Sequence, residues 1–257
     1  MRISVARPFA IAIGQRHRCL VWRVVLVFLL ISSPLCFAND VDEIVLNAQR
    51  AYSAQNYKEA LNSYKRAAAL GSSIALFQLG TMHERGEGVP SDVLEAAKWY
   101  ERAAAAGSAA GAKRLASMYY DGTGAPKDFD RAAELYRRAG ELGDSTSFFT
   151  LGQMYWMGSA RAREPEKAVE LFAKAAEKGN PLAMNALAIA YRLGDGIAKS
   201  DSAAYAYFKL ANESGSKLAA DNLEKLKGLL SDSDRIAGEK LLEQLRLKIS
   251  KESKKAN

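Results

Sequence analysis

The chain has 257 residues, of which 49% are hydrophobic and 25% are charged, and its formal net charge is +7 at pH 7. The first 38 residues hold five arginines and no acidic residue, so the rest of the chain carries only +2; this removes the basis for a basic surface that binds nucleic acid. Both cysteines, Cys19 and Cys36, lie in the same first segment, so the rest of the chain has neither thiol chemistry nor a disulfide.

Residues 1–38 have the pattern of a secretory signal peptide. Arginines precede the apolar run VVLVFLLI at residues 24–31, and small residues follow up to Ala38. This run is shorter than the roughly 20 residues that span a bilayer. We therefore expect cleavage after Ala38 and a periplasmic or secreted protein without a stable membrane span. Retention of the segment as an anchor is the alternative.

Residues 39–71 are predicted to form an N-terminal capping helix pair. They keep the periodicity of the segment that follows but lack its loop glycines. Their stretch NYKEALNSYKRA is similar to the second helix of a tetratricopeptide repeat.

The next segment repeats with a period of 36 residues. Leu79 aligns with Leu115, Leu151 and Leu187. A glycine followed by a small polar residue recurs in the same frame at Gly71, Gly107, Gly143, Gly179 and Gly215. A fixed period of this length is typical of a solenoid in which each unit contacts its neighbours. We predict four units: 72–107, 108–143, 144–179 and 180–215.

Each unit is predicted to form two helices, A and B. In helix A of the first unit, Ala75, Leu79 and Met82 share one face, and Gly86 suits a left-handed helix end. Helix B combines alanines, which let backbones approach closely, with aromatic rings that fill the remaining space. N-cap residues are predicted at Ser72, Ser108, Asp144, Asn180 and Ser216 for helix A, and the equivalent position before helix B holds Asn56, Asp92, Asp128, Glu164 and Ser200. Glu164 is a poor cap, but Pro165 after it suits a first helical turn.

The C-terminal end departs from the repeat. A fifth helix A begins after Ser216, but no glycine loop follows it. Ser231 and Asp234 have the spacing of a capping box at the start of a closing helix. We therefore assign residues 216–249 to C-terminal capping helices and the polar, lysine-rich residues 250–257 to a disordered tail.

Two stretches carry a family resemblance: LGTMHERGEGVPSDVLEAAKWYERAAAAG and LASMYYDGTGAPKDFDRAAELYRRAGELG. They resemble the Sel-one-like repeat (SLR), a relative of the tetratricopeptide repeat with a longer loop between its helices. The resemblance covers roughly residues 72–215 and implies an all-α fold, a right-handed solenoid of antiparallel helix pairs. The third unit has Ala160 where the second loop glycine is expected, which leaves the shape of that loop open.

The chain after residue 38 shows no pattern of a catalytic or cofactor site. Its single histidine, His83, aligns with Tyr119, Tyr155 and Tyr191, so we interpret it as a substitute for a packing tyrosine rather than a base or metal ligand. No nucleophile elbow, phosphate-binding loop or pair of metal-spaced ligands occurs. We predict a protein that is not an enzyme and uses no metal or cofactor, with a catalytic carboxylate pair left open.

A binding surface is predicted where the helix A positions outside the core vary between units. These positions form a stripe of Phe77, Thr81, Glu84, Lys113, Ser117, Tyr120, Phe149, Gln153, Trp156, Asn185, Ile189 and Arg192. The tetratricopeptide resemblance implies that helix A lines the concave surface. Aromatic and arginine side chains of this kind dominate interface hot spots. Packing of the same aromatics in the core is the alternative.

The leading functional hypothesis is a non-catalytic, exported bacterial adaptor that holds a protein or peptide segment in its concave groove. The family resemblance implies this role, and the oligomeric state stays open. One alternative is binding or hydrolysis of cell-wall material such as a muropeptide or β-lactam, which secreted, cysteine-rich SLR proteins suggest. Another is release from the cell to contact a host surface.

Overall fold

The computed structural model describes residues 34–159 and 162–256. All regular structure in these ranges is α-helical, and its twelve helices are numbered α1 to α12. They are α1 (Pro34–Ser53), α2 (Tyr57–Ala69), α3 (Ser73–Arg85), α4 (Val93–Ala105), α5 (Ala109–Asp121), α6 (Phe129–Glu141), α7 (Ser145–Met157), α8 (Pro165–Glu177), α9 (Pro181–Leu193), α10 (Asp201–Glu213), α11 (Lys217–Lys227) and α12 (Asp232–Ala256). The predicted all-α fold class is confirmed.

The helices form a solenoid of pairs that pack in chain order. The A helices are α3, α5, α7, α9 and α11, and they start 36 residues apart, at Ser73, Ala109, Ser145, Pro181 and Lys217. The B helices are α2, α4, α6, α8 and α10. From α1 to α11 each helix packs on the next, and α3 also contacts α5 directly. Neighbouring A helices therefore lie side by side there, and the predicted period is confirmed.

Local capping explains where the helices begin. Each A helix is preceded by a side chain that accepts a hydrogen bond from the backbone N–H three residues later, at Ser72, Ser108, Asp144, Asn180 and Ser216. Asp92, Asp128 and Ser200 cap B helices in the same way. Asn56 and Glu164 hold the expected N-cap position but make no cap hydrogen bond; this contradicts the cap predicted at Asn56 and confirms that Glu164 is a poor cap. The Asn56 amide donates to Glu59 instead, and Glu164 pairs with Lys167.

The second glycine of the loop between helices A and B lets that loop lie against the preceding B helix. Gly124 and Gly196 have φ of +75° and +68°, and a Cβ atom there would lie 2.7 Å from the carbonyl oxygen of Val93 and 2.4 Å from that of Pro165. Any larger residue would have to displace backbone. Ala160, which occupies this place in the third unit, lies with Arg161 outside the described residues.

A row of aromatic residues on the B helices fills the space between the two helix layers. These residues, which we call the aromatic row, are 36 residues apart and all buried: Tyr64, Tyr100, Tyr136, Phe172 and Phe208. Two of the rings face a glycine on helix A. A Cβ atom at Gly80 or Gly152 would lie 2.6 Å from the ring of Tyr100 or Phe172. These rings therefore pack directly on helix A backbone, and their outer edges lie beneath the A-helix surface.

The last helix leaves the alternating order. α12 packs on α10 and reaches α8, rather than pairing with α11. Leu242 is fully buried, and Glu239 accepts hydrogen bonds from Tyr205 at 2.7 Å and Lys209 at 2.6 Å. Since α12 lies on the side of the B helix α10, it leaves the outer side of α11 open.

The end of α12 differs from the predicted tail. The helix continues to Ala256, so residues 250–256 are helical where disorder is expected from their polarity. Lysine and glutamate have high helix propensity, and the Lys248 ammonium pairs with Glu177 at 2.6 Å. Both effects favour continuation of the helix.

Most of the predicted signal peptide lies outside the described residues, which begin at Pro34. The predicted cleavage position after Ala38 falls inside α1. Across the described ranges, no helix combines the length and apolar character needed to cross a bilayer.

Candidate functional site

The predicted stripe lies on the outer surface of the A helices, which we call the A face. Its members are offset by whole repeats, so they occupy equivalent places on α3, α5, α7 and α9. The A face divides into two parts with different chemistry. The first half comprises α3 and α5, and the second half comprises α7, α9 and α11.

The first half is polar, and its groups are bound to one another. The hydroxyl of Tyr100 donates to Glu84 at 2.7 Å and lies 3.3 Å from the hydroxyl of Thr81. Burial raises the pKa of Tyr100, so the phenol remains a donor at neutral pH. Glu84 also accepts a hydrogen bond from Nε of Arg114 at 3.0 Å. The Glu84 carboxylate is thereby satisfied within the chain.

The other predicted residues of this half are also engaged internally. The Lys113 ammonium lies 3.1 Å from the carboxylate of Asp144. The Phe77 ring packs 5.6 Å from that of Tyr100. Tyr120 lies edge-on to Phe129, with ring centroids 5.3 Å apart. The four predicted residues Phe77, Glu84, Lys113 and Tyr120 therefore lie on the A face, and each contacts another side chain of the chain.

The second half holds an open apolar pocket of about 390 Å³, which we call the main pocket. It lies between the three A helices of this half and reaches down to the aromatic row. Its lining consists of Phe149, Gln153, Trp156, Met157, Phe172, Leu182, Asn185, Ala186, Ile189 and Leu218. Five of these belong to the predicted stripe: Phe149, Gln153, Trp156, Asn185 and Ile189. The structure brings them together in one cavity.

The two aromatic side chains of this pocket pack and line it at the same time. The rings of Phe149 and Trp156 lie 5.8 Å and 6.0 Å from that of Phe172. The guanidinium of Arg163 lies 4.7 Å above the Trp156 ring, and its Nε donates to the Trp156 carbonyl oxygen at 2.7 Å. Arg163 also pairs with Asp195. The indole is thus held in place while one side faces the cavity.

A few polar groups accompany the apolar wall. Asn185 is buried and accepts a hydrogen bond from the Asn222 amide at 3.1 Å. Gln153 has no hydrogen-bond partner within the described part of the chain. Arg192 lies outside the main pocket and pairs with Asp201 at 3.0 Å. Gln153 therefore offers a free amide, with both donor and acceptor atoms, beside the apolar wall.

Sequence reasoning missed four residues of the main pocket that shape it. Met157, Leu182 and Leu218 are large apolar side chains that are 64%, 49% and 58% exposed, and Phe172 forms the base. The predicted stripe contains only the positions i, i+4 and i+7 of four A helices. It therefore includes neither the A-helix residues next to these positions nor any residue of a B helix. A signal was available in the aromatic row, where phenylalanine replaces tyrosine from position 172 onward.

Two further features concern metal binding and the single histidine of the described residues. No cluster of three or more histidine, cysteine or acidic side chains is placed to hold a metal ion in this part of the chain. His83 stacks on Trp99 with ring centroids 6.2 Å apart. The equivalent pair in the fourth unit, Tyr191 and Tyr207, stacks in the same way at 5.6 Å. His83 therefore takes the packing position that a tyrosine has elsewhere.

Comparison with known proteins gives a consistent result. The family model described as Sel1 repeat matches residues 50–72, 73–108, 109–144, 149–180 and 181–216. Among solved structures, a Sel1 repeat protein from Oxalobacter formigenes is 27% identical, with a TM-score of 0.67, over 85% of this chain and 92% of that one. No curated protein is significantly similar in sequence.

A second solved structure is a protective antigen from uropathogenic Escherichia coli strains, described as having an SLR fold. It is 32% identical, with a TM-score of 0.60, over 76% of this chain. The match spans 42% of the antigen, so the antigen is the longer protein.

Proposed function

We propose that this chain, which belongs to the Sel1 repeat family, is a non-catalytic scaffold that binds a protein or peptide segment through the second half of its A face. Sel1 repeat proteins are generally non-catalytic scaffolds for protein–protein interaction. The main pocket carries the proposal, because a pocket with several exposed apolar side chains around rigid aromatic rings has the features of an interface hot spot.

Export to the periplasm or the outside of the cell is part of the proposal. Its support is the sequence of residues 1–38, in which a basic start, an apolar run and small residues follow one another. Detection of the protein in a periplasmic or secreted fraction, with an N-terminus at Asn39, would support it. Recovery only from the cytosol would contradict it.

The binding part of the proposal is tested by affinity capture with the full chain from an extract of its source cells. Leu182→Asp places a charge at the rim of the main pocket without touching the core, since Leu182 is already 49% exposed. Leu94→Asp is the matched control, because Leu94 is 66% exposed on the B helix α4. Circular dichroism and melting temperature confirm that both variants fold.

We expect the parent and Leu94→Asp to retain the same protein and Leu182→Asp to lose it. Desolvating an aspartate against an apolar partner costs several kcal/mol or requires its protonation. Retention by all three would place the binding surface elsewhere. If the parent retains no protein under gentle conditions, the scaffold role itself is contradicted.

A further inference from the structure

A second cavity, which we call the side pocket, lies next to the main pocket. It has a volume of about 200 Å³ and lies between α9, α10 and α11. Ile189 lines both cavities, so they are adjacent on the A face, and we call the two together the groove. Phe208, the last member of the aromatic row, lines the side pocket, and Leu193 and Leu229 are exposed at its edge. Most of the residues that line the groove are therefore apolar.

The charged side chains that line this groove are all positive. Among the residues that line the two pockets, only Arg192 and Lys225 are charged, and none is acidic. Arg192 has its own counterion in Asp201. Lys225 is exposed and forms no ion pair or hydrogen bond within residues 34–159 and 162–256. One cation at the groove is therefore left without a counterion.

The first half of the A face shows what such a cation does when the chain itself supplies the acid. There Arg114 is bound by Glu84, and Lys113 is bound by Asp144. Position 225 corresponds to Thr81, Ser117, Gln153 and Ile189 in the repeat frame. A lysine therefore occurs at this position only in α11, at the end of the groove. In the first half each of these cations pairs with a carboxylate of the chain. The residues that line the groove include no carboxylate that could pair with Lys225 in the same way.

Resting on the proposed function, we infer that the partner is a peptide segment with bulky apolar side chains next to an aspartate or glutamate. The apolar side chains occupy the main pocket and the carboxylate pairs with Lys225 at the side pocket. An exposed ion pair of this kind adds modest affinity, but it fixes the orientation of the segment and discriminates against basic partners.

The test is selection of a phage-displayed random 12-residue peptide library on the immobilised full chain. We expect enriched peptides to combine large apolar residues with an acidic residue. Selection on Lys225→Glu should remove that acidic preference or turn it into a preference for lysine and arginine. Lys58→Glu, an exposed charge reversal on α2, is the matched control and should leave the selected sequences unchanged.

The best selected peptide, labelled with fluorescein, then gives dissociation constants by fluorescence anisotropy. We expect Lys225→Glu to weaken binding roughly fivefold at low salt, and less at high salt because exposed charges are screened. Lys58→Glu should bind as the parent does.

Three outcomes would overturn the inference. One is enrichment of apolar peptides without any acidic preference. Another is an acidic preference that survives in Lys225→Glu. The third is a dimer of the full chain, seen by light scattering and abolished by Leu182→Asp, because a second copy would then occupy the groove. If selected peptides depend on Leu182 but not on Lys225, the scaffold role stands and only the acidic partner is rejected.

Discussion

The two halves of the A face share one backbone plan, but the aromatic row beneath them differs by one hydroxyl group per repeat. In the first half, the aromatic row contributes Tyr100 and Tyr136, and the Tyr100 hydroxyl hydrogen-bonds to Thr81 and Glu84. In the second half, Phe172 and Phe208 contribute rings alone, and these rings line the two pockets. One oxygen beneath the surface thus accompanies a polar, internally satisfied face, and its absence accompanies an open apolar groove.

This difference shows how a repeat protein can vary its surface without altering its frame. The helix starts and the caps of the A helices recur in every unit, because they determine whether the units stack at all. The ring position carries a change from tyrosine to phenylalanine at little cost to that stacking, since both rings have nearly the same shape. The A-helix residues above the ring also differ: Thr81 and Ser117 in the first half correspond to Gln153 and Ile189 in the second half.

The largest expected effect comes from removing the base of the groove. Phe172 is 2% exposed, so Phe172→Ala should destabilise the protein by about 3–5 kcal/mol through lost burial and a cavity. Urea unfolding followed by circular dichroism measures this. Phe149→Ala, at a half-buried rim position, should cost clearly less. Equal costs for the two variants would contradict the assignment of Phe172 as the base.

An exchange of hydroxyls between the halves tests the comparison directly. Tyr100→Phe removes the hydrogen bond to the Glu84 carboxylate and should cost about 1.5–3 kcal/mol, the range for a hydrogen bond to a charged group. A double-mutant cycle with Glu84→Gln should show that the two residues are coupled. Additive effects would mean that the Tyr100 hydroxyl does not hold Glu84.

The reverse change, Phe172→Tyr, adds the hydroxyl to the second half. We expect little change in stability, because the free Gln153 amide lies at the position equivalent to Thr81 and can accept the new hydrogen bond. The selected peptide should nevertheless bind roughly tenfold more weakly, since its apolar side chains would then cover a polar group. Unchanged affinity would show that the apolar base does not contribute to binding.

The smallest expected effect concerns His83. The first half has the stacked pair His83 and Trp99, where the second half has Tyr191 and Tyr207. Burial lowers the pKa of His83, and its Nδ1 atom is buried without a partner. The folded state therefore favours the neutral ring. Stability should be full above the unfolded pKa of about 6.5 and should fall as the pH drops below it, because only the unfolded chain takes up the proton readily.

His83→Tyr introduces the residue found at the equivalent positions of the other units. It should raise stability by about 0.5–1 kcal/mol at pH 7.5 and by more at pH 5.5, because the proton linkage is removed. Melting temperatures of parent and variant at the two pH values test this. A pH dependence that is the same in both would show that His83 is not its source.

Much of the fold could be predicted from the sequence because the responsible interactions are local or repeat at a fixed distance. The Asp92 side chain caps α4 by accepting a hydrogen bond from the backbone N–H of Glu95, three residues later, and Gly86 ends α3 with a φ of +74°. These features depend on neighbours along the chain, and the 36-residue frame then orders the helices. The failed cap at Asn56 is also local, since Glu59 competes for its side chain.

The candidate site was only partly predictable. The frame placed Phe149, Gln153 and Trp156 on one helical face, and the structure groups them in the main pocket. The same frame treats Glu84 as equivalent to Trp156 and Lys113 as equivalent to Phe149, although the side chains of Glu84 and Lys113 are bound by other residues of the chain. Their partners Arg114 and Asp144 lie about 30 residues away, and no periodic pattern marks such pairs.

By itself, the amino-acid sequence determined the helical units, their caps, their period and the exchange of tyrosine for phenylalanine in the aromatic row. Only the tertiary structure decided which part of the A face is closed by ion pairs and that Arg163 packs on Trp156. It also decided that α12 packs on α10 and leaves α11 open. The physical reason is range. Caps and turns depend on adjacent residues, whereas a pocket depends on side chains that meet only after several repeats have stacked.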